Sequence, residues 1–313
     1  MDKVLVWGIG SWFDRHIFNI IEREQALGEF IIIAYISNNS KYKNFNNTPI
    51  IKPEEINESD FDYIIIASTF YKEIREEAIV RLKLSGDKIV DGKVFERPCF
   101  NWMRYIRIKK AKPSLIAESC YAGYLYKYLD LQFYSPFIKT RIEQYDYLKL
   151  LDNLDLYLSS QITLDKNYYT GLNINKKNNN ISWGLFGYPI FKLYNISLHA
   201  IHTIDTTEYV ESWNRRLSRF NNQNIIAMMI IENDDIADRF SALPISNKIG
   251  FYFKKTSYSN IICLEDYNND NMRCKYNYDF RRYVHDIINT NSLVSPVDFF
   301  KLISGDKDFY RFS

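Results

Sequence analysis

Short, continuous apolar runs place the strongest constraint on what this chain can fold into. They occupy residues 4–7, 31–36, 63–67 and 225–231, and the first three alternate with segments in which apolar side chains have helical spacing. A strand without a polar face must be covered on both sides, which is typical of parallel sheets flanked by helices. The sequence therefore predicts an α/β fold, with a small parallel-sheet domain at the N-terminus and a second, larger α/β domain after it.

The length of the chain favours two domains. At 313 residues it exceeds the size at which a single core usually keeps growing. We predict a first domain over residues 1–98, a basic aromatic linker over 99–112 and a second domain over 113–313. Hydrophobic residues make up 46% of the chain and charged residues 25%, which indicates globular domains rather than disorder.

Charge and cysteine content narrow the partners and the compartment. A formal net charge of +2, without a long Lys/Arg block, disfavours nucleic acid as a partner. The four cysteines form no C-x-x-C pair, which fits a reducing compartment. The sequence contains no signal-peptide pattern and no run of the roughly 18 apolar residues that a membrane-spanning helix needs. These features predict a cytoplasmic protein.

A G-x-G turn follows the first apolar run. Gly8 and Gly10 permit a tight turn, and Ser11 opens a helical pattern, so that a phosphate group could approach the helix N-terminus. Asn38 and Ser68, after the second and third runs, would line the same edge of the sheet. The pattern lacks the third glycine and the acidic residue of a dinucleotide fingerprint. Either the turn binds a nucleotide or nucleotide-sugar, or it is a remnant of the fold without a ligand; a redox cofactor is disfavoured.

The linker interleaves aromatic and basic residues. Residues 95–112 read FERPCFNWMRYIRIKKAK, which fits two interpretations. A basic amphipathic helix could meet an anionic membrane surface at the inner face of the membrane. We favour the alternative, a connecting helix that packs on both domains, because charge runs of this kind are usually solvated faces.

The stretch over residues 114–138 is the first candidate for a site. A short apolar run leads into the polar elbow Glu118-Ser119-Cys120, and an aromatic run of helical type begins at Tyr121. Functional groups collect where parallel strands end and helices begin, because free backbone N–H groups there can hold an anion. The sequence predicts a strand, an elbow and a helix in this order.

Cysteine and histidine chemistry is one interpretation of the elbow. A helix N-terminus would lower the pKa of Cys120, and His202, at the end of a predicted strand, could be its base in an attack on an acyl group. The alternative is that Cys120 is a buried packing residue and His202 a core histidine with satisfied hydrogen bonds. The tyrosines that follow could stack on sugar rings or fill the core.

An amphipathic helix is predicted after Asp205, which is placed as its N-cap. Trp213 belongs to the apolar face, and Arg216 lies on the shoulder of that face. There the guanidinium must find a partner at the rim of the core or bind a ligand phosphate. The segment Glu232-Asn233-Asp234-Asp235 follows a later strand, and its carboxylates could hold a divalent ion or cap the next helix. We assign no residue as a metal ligand, and a divalent ion stays one of the two interpretations of this segment.

The first part of the chain resembles a known domain. The segments VLVWGIGSW, ISNNS, TPIIKPEEI and FDYIIIAST are similar to the small Rossmann-like domain at the N-terminus of many bacterial sugar-modifying and glycan-assembly proteins. This resemblance implies a nucleotide-sugar or a similar ligand near Gly8, Gly10, Ser11 and Asn38, with Ser68 at the same edge.

Motifs of the second part resemble an uncharacterised bacterial domain-of-unknown-function family linked to exopolysaccharide biosynthesis. In order they read ESCYAGYLYKYLDLQFYSPFI, FGYPIFKL, HAIHT, ESWNRRLSRFN and SALPISNKIGF, over about residues 114–265. The family has an Asn-Asn-Cys elbow, of which this chain keeps the cysteine. The other positions that correspond to the family's motifs are Gly123, His202, Trp213, Arg215 and Arg216.

The resemblance implies a role in bacterial surface polysaccharide biosynthesis. We favour glycosyl transfer from a nucleotide-activated sugar to a glycan or lipid-linked glycan, with Glu118 or His202 as the acid/base group and Arg216 against the diphosphate. The predicted substrate-binding residues are Ser119, Tyr121, Gly123, Trp213 and Arg216. We expect Glu118, Cys120, His202 and Arg216 to share one cleft. The alternatives are a non-catalytic glycan or nucleotide-sugar binding partner of an assembly complex and an acyltransferase that uses Cys120.

Overall fold

The computed structural model describes residues 1–38, 41–168, 188–201, 203, 205–276, 279–289 and 297–306. These residues divide into two compact α/β units. Unit 1 consists of the described residues within Met1–Lys110, Tyr128–Asp130 and Val297–Ser313. Unit 2 consists of the described residues within Ala111–Lys127 and Leu131–Pro296. The predicted fold class, an N-terminal parallel sheet followed by a second α/β domain, is confirmed.

Unit 1 is built on a six-stranded sheet in the order β3-β4-β2-β1-β5-β6. Its strands are β1 (Asp2–Trp7), β2 (Phe30–Ile36), β3 (Asn44–Phe45), β4 (Thr48–Ile51), β5 (Tyr63–Ile66) and β6 (Ile89–Asp91). As predicted, β1 pairs with β2 in parallel, and only the short β3 runs antiparallel to its neighbour. The sequence predicts a connection at residues 49–51, but Ile50 and Ile51 pair with β2 as part of β4, because they add apolar cover to that edge of the sheet.

Unit 1 also contains α-helices among its described residues. They are α1 (Phe18–Ala26), α2 (Tyr71–Glu76), α3 (Trp102–Ala111) and α11 (Phe299–Ser304). In α3, which lies in the predicted linker, Trp102, Tyr105, Ile106 and Ile108 are buried. The aromatic side chains of the linker helix therefore pack inside a folded unit, which favours the connecting-helix interpretation over membrane-surface contact.

Unit 2 contains a parallel sheet whose strands all end at one edge. In the order β13-β12-β11-β7, they are β13 (Ile261–Cys263), β12 (Lys248–Tyr252), β11 (Ile225–Ile230) and β7 (Ser114–Ala117). A second, antiparallel sheet is formed by β8 (Ile162–Tyr168), β9 (Tyr188–Leu193) and β10 (Ile196–His199). The helices are α4 (Tyr121–Tyr128), α5 (Gln144–Asp152), α6 (Leu154–Leu158), α7 (Thr206–Leu217), α8 (Asp234–Ala242), α9 (Asp270–Lys275) and α10 (Phe280–Asn289).

Some predicted elements differ from the structure. The predicted strand over residues 132–135 is irregular, because the Tyr134 carbonyl accepts from the Ser114 hydroxyl at 2.9 Å rather than from a strand. The single helix predicted over residues 143–158 breaks at Asn153, whose backbone is not helical (φ −141°, ψ 58°). The last helix begins at Phe299 and is capped by Asp298. The sequence also predicts a loop over residues 173–180, a strand over 182–186 and Ser295 as the N-cap of the last helix, and all three lie outside the described residues.

The described helices agree with the sequence, in which we find no run long and apolar enough for a membrane-spanning helix. Among the described residues, the structure contains no helix that is both long enough and apolar enough to cross a membrane.

Candidate functional site

The elbow lies at the carboxyl edge of the parallel sheet in unit 2. β7 is fully buried up to Ala117, and Glu118, Ser119 and Cys120 connect it to α4, as the sequence predicts. The first turn of α4 closes when the Gly123 N–H donates to the Cys120 carbonyl at 3.0 Å. β7 is apolar up to its last residue, and α4 starts directly after the elbow. The three polar side chains of the elbow therefore lie together at the end of the strand.

Glu118 is completely enclosed, with 0% of its surface exposed. Its carboxylate accepts from the Tyr121 hydroxyl at 2.6 Å and from the Ile230 N–H at 3.1 Å. The Arg281 guanidinium lies 3.6 Å from the same carboxylate. Burial raises the pKa of Glu118 to about 7, although Arg281 and the hydrogen bond from Tyr121 act in the opposite direction. A carboxylate in this position orients its neighbours, and it has no contact with solvent.

Arg281 connects three elements of the site. It belongs to α10, it faces Glu118 after β7, and its Nε donates to Glu232 after β11 at 2.6 Å. Burial lowers the pKa of Arg281, but the two carboxylates outweigh that effect and the net change is upward. The ion pairs therefore fasten α10 across the ends of two neighbouring strands.

His285 brings an imidazole to the elbow. It lies four residues after Arg281 on α10, so both side chains project from one face of the helix. Its Nδ1 is 3.8 Å from the Cys120 sulfur, and its Nε2 is 3.3 Å from the Ser119 hydroxyl. The ring also packs edge-on against Tyr121, with ring centroids 5.5 Å apart. One imidazole thus contacts two consecutive residues of the elbow.

The pKa of Cys120 differs from the prediction. The position at a helix N-terminus predicts a lowered pKa, but burial raises the pKa of this half-buried thiol and outweighs its hydrogen bonds. Cys120 is therefore a neutral thiol at rest. Its S–H can be donated to the Tyr124 hydroxyl at 3.9 Å or to His285. Nucleophilic chemistry at this sulfur needs a base, and His285 is in position to be one.

Sequence reasoning missed His285. The residue belongs to no motif and comes 165 positions after Cys120. Its four-residue spacing from Arg281 on an amphipathic helix was the available signal, but that spacing does not indicate which strand end the helix will cover.

The acidic residues 232–235 are engaged by protein groups. Glu232 pairs with Arg281, Asp234 accepts from the Tyr252 hydroxyl at 2.7 Å, and Asp235 pairs with Arg239 at 3.1 Å. Asn233 is the N-cap of α8. Among the described residues, no three His, Cys, Asp or Glu side chains are grouped so that they could hold a metal ion. These contacts favour the capping interpretation of the acidic run.

The other predicted residues of unit 2 are distributed through the fold. Gly123 lies on α4 close to Ile138, and Trp213 is a core residue whose ring packs on Phe137 at 5.1 Å between centroids. The Arg216 guanidinium lies over the Phe133 ring at 5.5 Å. These contacts do not bring Trp213 or Arg216 to the elbow. His202 lies outside the described residues.

The fold itself partly explains the residues that we predict to bind a ligand at the edge of the unit 1 sheet. Gly8 has a φ of +101°, and a side chain there would lie 2.9 Å from the Ala67 carbonyl oxygen. Gly10 has open space around it. The Ser68 hydroxyl accepts from the Phe70 N–H at 3.1 Å, while Ser11 and Asn38 are exposed. The fold by itself requires Gly8; ligand binding at this edge stays a prediction.

Comparison with known proteins identifies the family. Residues 91–300 match the model of a family described as "Domain of unknown function (DUF1919)". The chain belongs to the DUF1919 family. The matched DUF1919 segment contains the elbow, Glu232 and α10. Residues 1–90 match a second model, described as "C2185-like, N-terminal".

A curated relative covers part of the chain. An uncharacterized protein of Haemophilus influenzae is 26% identical over 145 residues, which is 45% of this chain. The match spans 62% of the length of that relative.

Proposed function

We propose that this DUF1919 protein is an acyltransferase in which Cys120 carries the acyl group and His285 is its base. The observation that supports this most directly is the 3.8 Å distance between the Cys120 sulfur and His285 Nδ1 at a strand–helix elbow. A thiol within reach of an imidazole, with a third group that orients the ring, is the arrangement of an activated nucleophile. Ser119 is that third group, because its hydroxyl contacts the other ring nitrogen.

The reaction proceeds in two balanced steps. His285 accepts the thiol proton while the sulfur attacks the carbonyl carbon of an activated acyl donor, such as a thioester. The bond to the donor's leaving group breaks, the proton passes from His285 to that group, and a thioester on Cys120 remains. In the second step His285 removes a proton from an acceptor hydroxyl, whose oxygen attacks the thioester carbon; the C–S bond breaks, and the proton passes from His285 to the sulfur to regenerate the thiol.

Burial of Glu118 weighs against glycosyl transfer at this elbow. A glycosyl-transfer acid or base must contact the donor or the acceptor. Glu118 is enclosed by Tyr121, the Ile230 backbone and Arg281, so it lacks that access. A carboxylate that fastens α10 fits the acyl-transfer proposal, because α10 carries the base.

The resemblance to a family linked to exopolysaccharide biosynthesis supplies the proposed acceptor. A sugar hydroxyl of a surface polysaccharide or of its cytoplasmic precursor would attack the thioester, and the protein would decorate the glycan. Sugar hydroxyls are neutral, so they need the general base that the imidazole supplies.

The test is whether Cys120 becomes acylated. After incubation with acetyl-CoA or p-nitrophenyl acetate, intact-mass analysis is expected to show one added acetyl group on the wild-type protein. Cys120→Ala removes this adduct, and His285→Gln slows its formation by about 10²-fold or more. Cys263→Ala is the matched control, since Cys263 is also a half-buried free thiol with a raised pKa. An adduct that persists in Cys120→Ala, or none on the wild type, contradicts the proposal.

A further inference from the structure

α7 carries a charged side chain on its buried face. Tyr209, Trp213 and Arg216 follow one another at helical spacing, and they are 3%, 1% and 8% exposed. Arg216 therefore points the same way as two core aromatic residues. A guanidinium stays protonated in proteins, so this position encloses a positive charge.

The described residues give Arg216 no anionic partner. No carboxylate oxygen lies within 4.0 Å of its guanidinium in that part of the chain, and none of its nitrogens donates to a protein acceptor there. Its contact is with the Phe133 ring, 5.5 Å from the centroid. Burial lowers the pKa of Arg216, as expected for a cation that lacks compensation.

A second guanidinium lacks one hydrogen-bond partner. Arg219, one turn after Arg216, is partly buried, and its buried Nε has no acceptor among the described residues. By contrast, the neighbouring Arg215 is exposed and donates to the Ser212 hydroxyl at 3.0 Å. Arg219 therefore keeps one buried donor without an acceptor in this part of the chain, one helical turn after the largely buried Arg216.

The surrounding structure compensates for only a small part of this charge. A cation over an aromatic ring is only weakly stabilised by it. The carboxyl end of a helix stabilises a nearby cation to a similar extent. Removing an ion from water costs more free energy than these two contacts together return. An oxyanion that accepts from these nitrogens would resolve the deficit, and a planar guanidinium matches phosphate in a bidentate manner.

These arginines lie away from the elbow. Phe133, under Arg216, packs edge-on against Tyr126, whose hydroxyl donates to the Pro113 carbonyl at the start of β7. Asn221, just after α7, donates its backbone N–H to the Ser114 hydroxyl at 2.7 Å. Both contacts are at the amino end of β7, whereas Cys120 follows its carboxyl end. A four-residue strand spans about 13 Å, so the two places are distinct.

We propose that Arg216 and Arg219 form a phosphate-binding site at the carboxyl end of α7, separate from the Cys120 elbow. The site does not depend on acyl transfer, because none of its residues contacts Cys120 or His285. It binds the phosphate group of a free phosphate ion or of a nucleotide.

Melting temperatures measured in phosphate and in chloride at equal ionic strength test the site. Phosphate is expected to raise the melting temperature of the wild-type protein in a saturable manner, because it binds the native state. Arg216→Met abolishes the shift, and in chloride this variant melts at or above the wild-type temperature, since an uncompensated buried cation is gone. Arg216→Lys keeps the charge without the planar fork and gives a reduced shift. Arg215→Met is the matched control and keeps the full shift.

Titrations with inorganic phosphate and with a nucleoside diphosphate identify the source of the group. An affinity at least about tenfold higher for the nucleotide, lost in Arg216→Met, assigns the site to a nucleotide. Equal affinities, both lost in Arg216→Met, assign it to the free ion. The site is refuted if neither compound shifts the wild type, or if Arg216→Met responds as the wild type does.

Discussion

Glu118 determines how the residues of the elbow are arranged. Its carboxylate joins α4 through Tyr121, β11 through the Ile230 N–H and α10 through Arg281. Because His285 belongs to the same helix as Arg281, this carboxylate fixes the position of the imidazole next to Cys120. We assign Glu118 as a positioning residue, which holds α10 and its imidazole through Arg281.

The raised pKa of Glu118 predicts a pH dependence of stability. Its pKa is about 7 in the folded protein and 4.5 ordinarily, so the folded state binds this proton more tightly. The stabilisation is complete below pH 4.5 and is lost as the pH rises through 7. Over this window the wild type should lose about 3 kcal/mol of unfolding free energy relative to Glu118→Gln, which mimics the protonated form. Urea unfolding of both proteins from pH 4.5 to pH 8 measures the difference, which a constant value would contradict.

The Arg281→Met variant tests how strongly the guanidinium lowers the pKa of Glu118. Removal of the guanidinium takes away the main charge that lowers the pKa of Glu118. We therefore expect the loss of stability to move to a higher pH than in the wild type. Acylation of Cys120 should also slow in this variant, since α10 loses a fastening point.

The sequence predicts the position of a single residue well when that position depends on its neighbours along the chain. Glu118, Ser119 and Cys120 follow directly from a strand that ends and a helix that begins. His285 depends instead on how a distant helix crosses the sheet edge. For Arg216, helical spacing predicts the face of α7, but it cannot indicate which end of β7 that face meets.

At the scale of secondary-structure elements, the turn after β6 packs so closely on its neighbours that it leaves no room for a side chain at Gly92. A side chain at Gly92 would lie 2.8 Å from the Ile66 carbonyl oxygen and 3.0 Å from the Ile17 side chain. We expect Gly92→Ala to destabilise the protein by about 1–3 kcal/mol, as overpacking does. Gly10→Ala is the control, because nothing lies within 4 Å of a side chain there, and it should change stability little. Denaturation midpoints compare the two, and equal midpoints would rule out this tight packing.

Strands were easier to predict than the segments between them. The apolar runs of β1, β5, β7 and β11 are buried on both faces almost throughout, so their apolar composition predicts them. Irregular segments depend on single tertiary contacts. Residues 132–135, for example, have a strand-like sequence, yet the Tyr134 carbonyl accepts a hydrogen bond from the Ser114 hydroxyl instead of from a neighbouring strand.

At the scale of the whole molecule, unit 1 is assembled from three separate parts of the chain. The sequence predicts a contiguous first domain over residues 1–98, and the compact unit also takes in α3, Tyr128–Asp130 and α11. The Asp130 carboxylate accepts from the Asp91 N–H at 2.9 Å. Periodicity in a sequence describes neighbours along the chain, so it gives no sign that a distant segment completes a core.

Phe300 tests whether the C-terminal helix is part of the N-terminal core. It is completely buried, and its ring packs against Phe100 and Tyr128 with centroids 5.8 and 5.6 Å away. Phe300→Ala should therefore destabilise unit 1 by about 3–5 kcal/mol through the cavity that it leaves. The matched control is Phe70→Ala, which removes an exposed ring from the same unit and should cost little.

Amide hydrogen exchange in β5 measures the effect of Phe300→Ala far from the substitution in sequence. Exchange of these amides requires unit 1 to open, so a loss of about 3–5 kcal/mol should speed it by at least 10²-fold. In Phe70→Ala the same amides should exchange at nearly the wild-type rate. Unchanged exchange in Phe300→Ala would mean that α11 is an appendage rather than part of the core. Faster exchange would mean that a cut at residue 98 separates the first sheet from side chains that stabilise it.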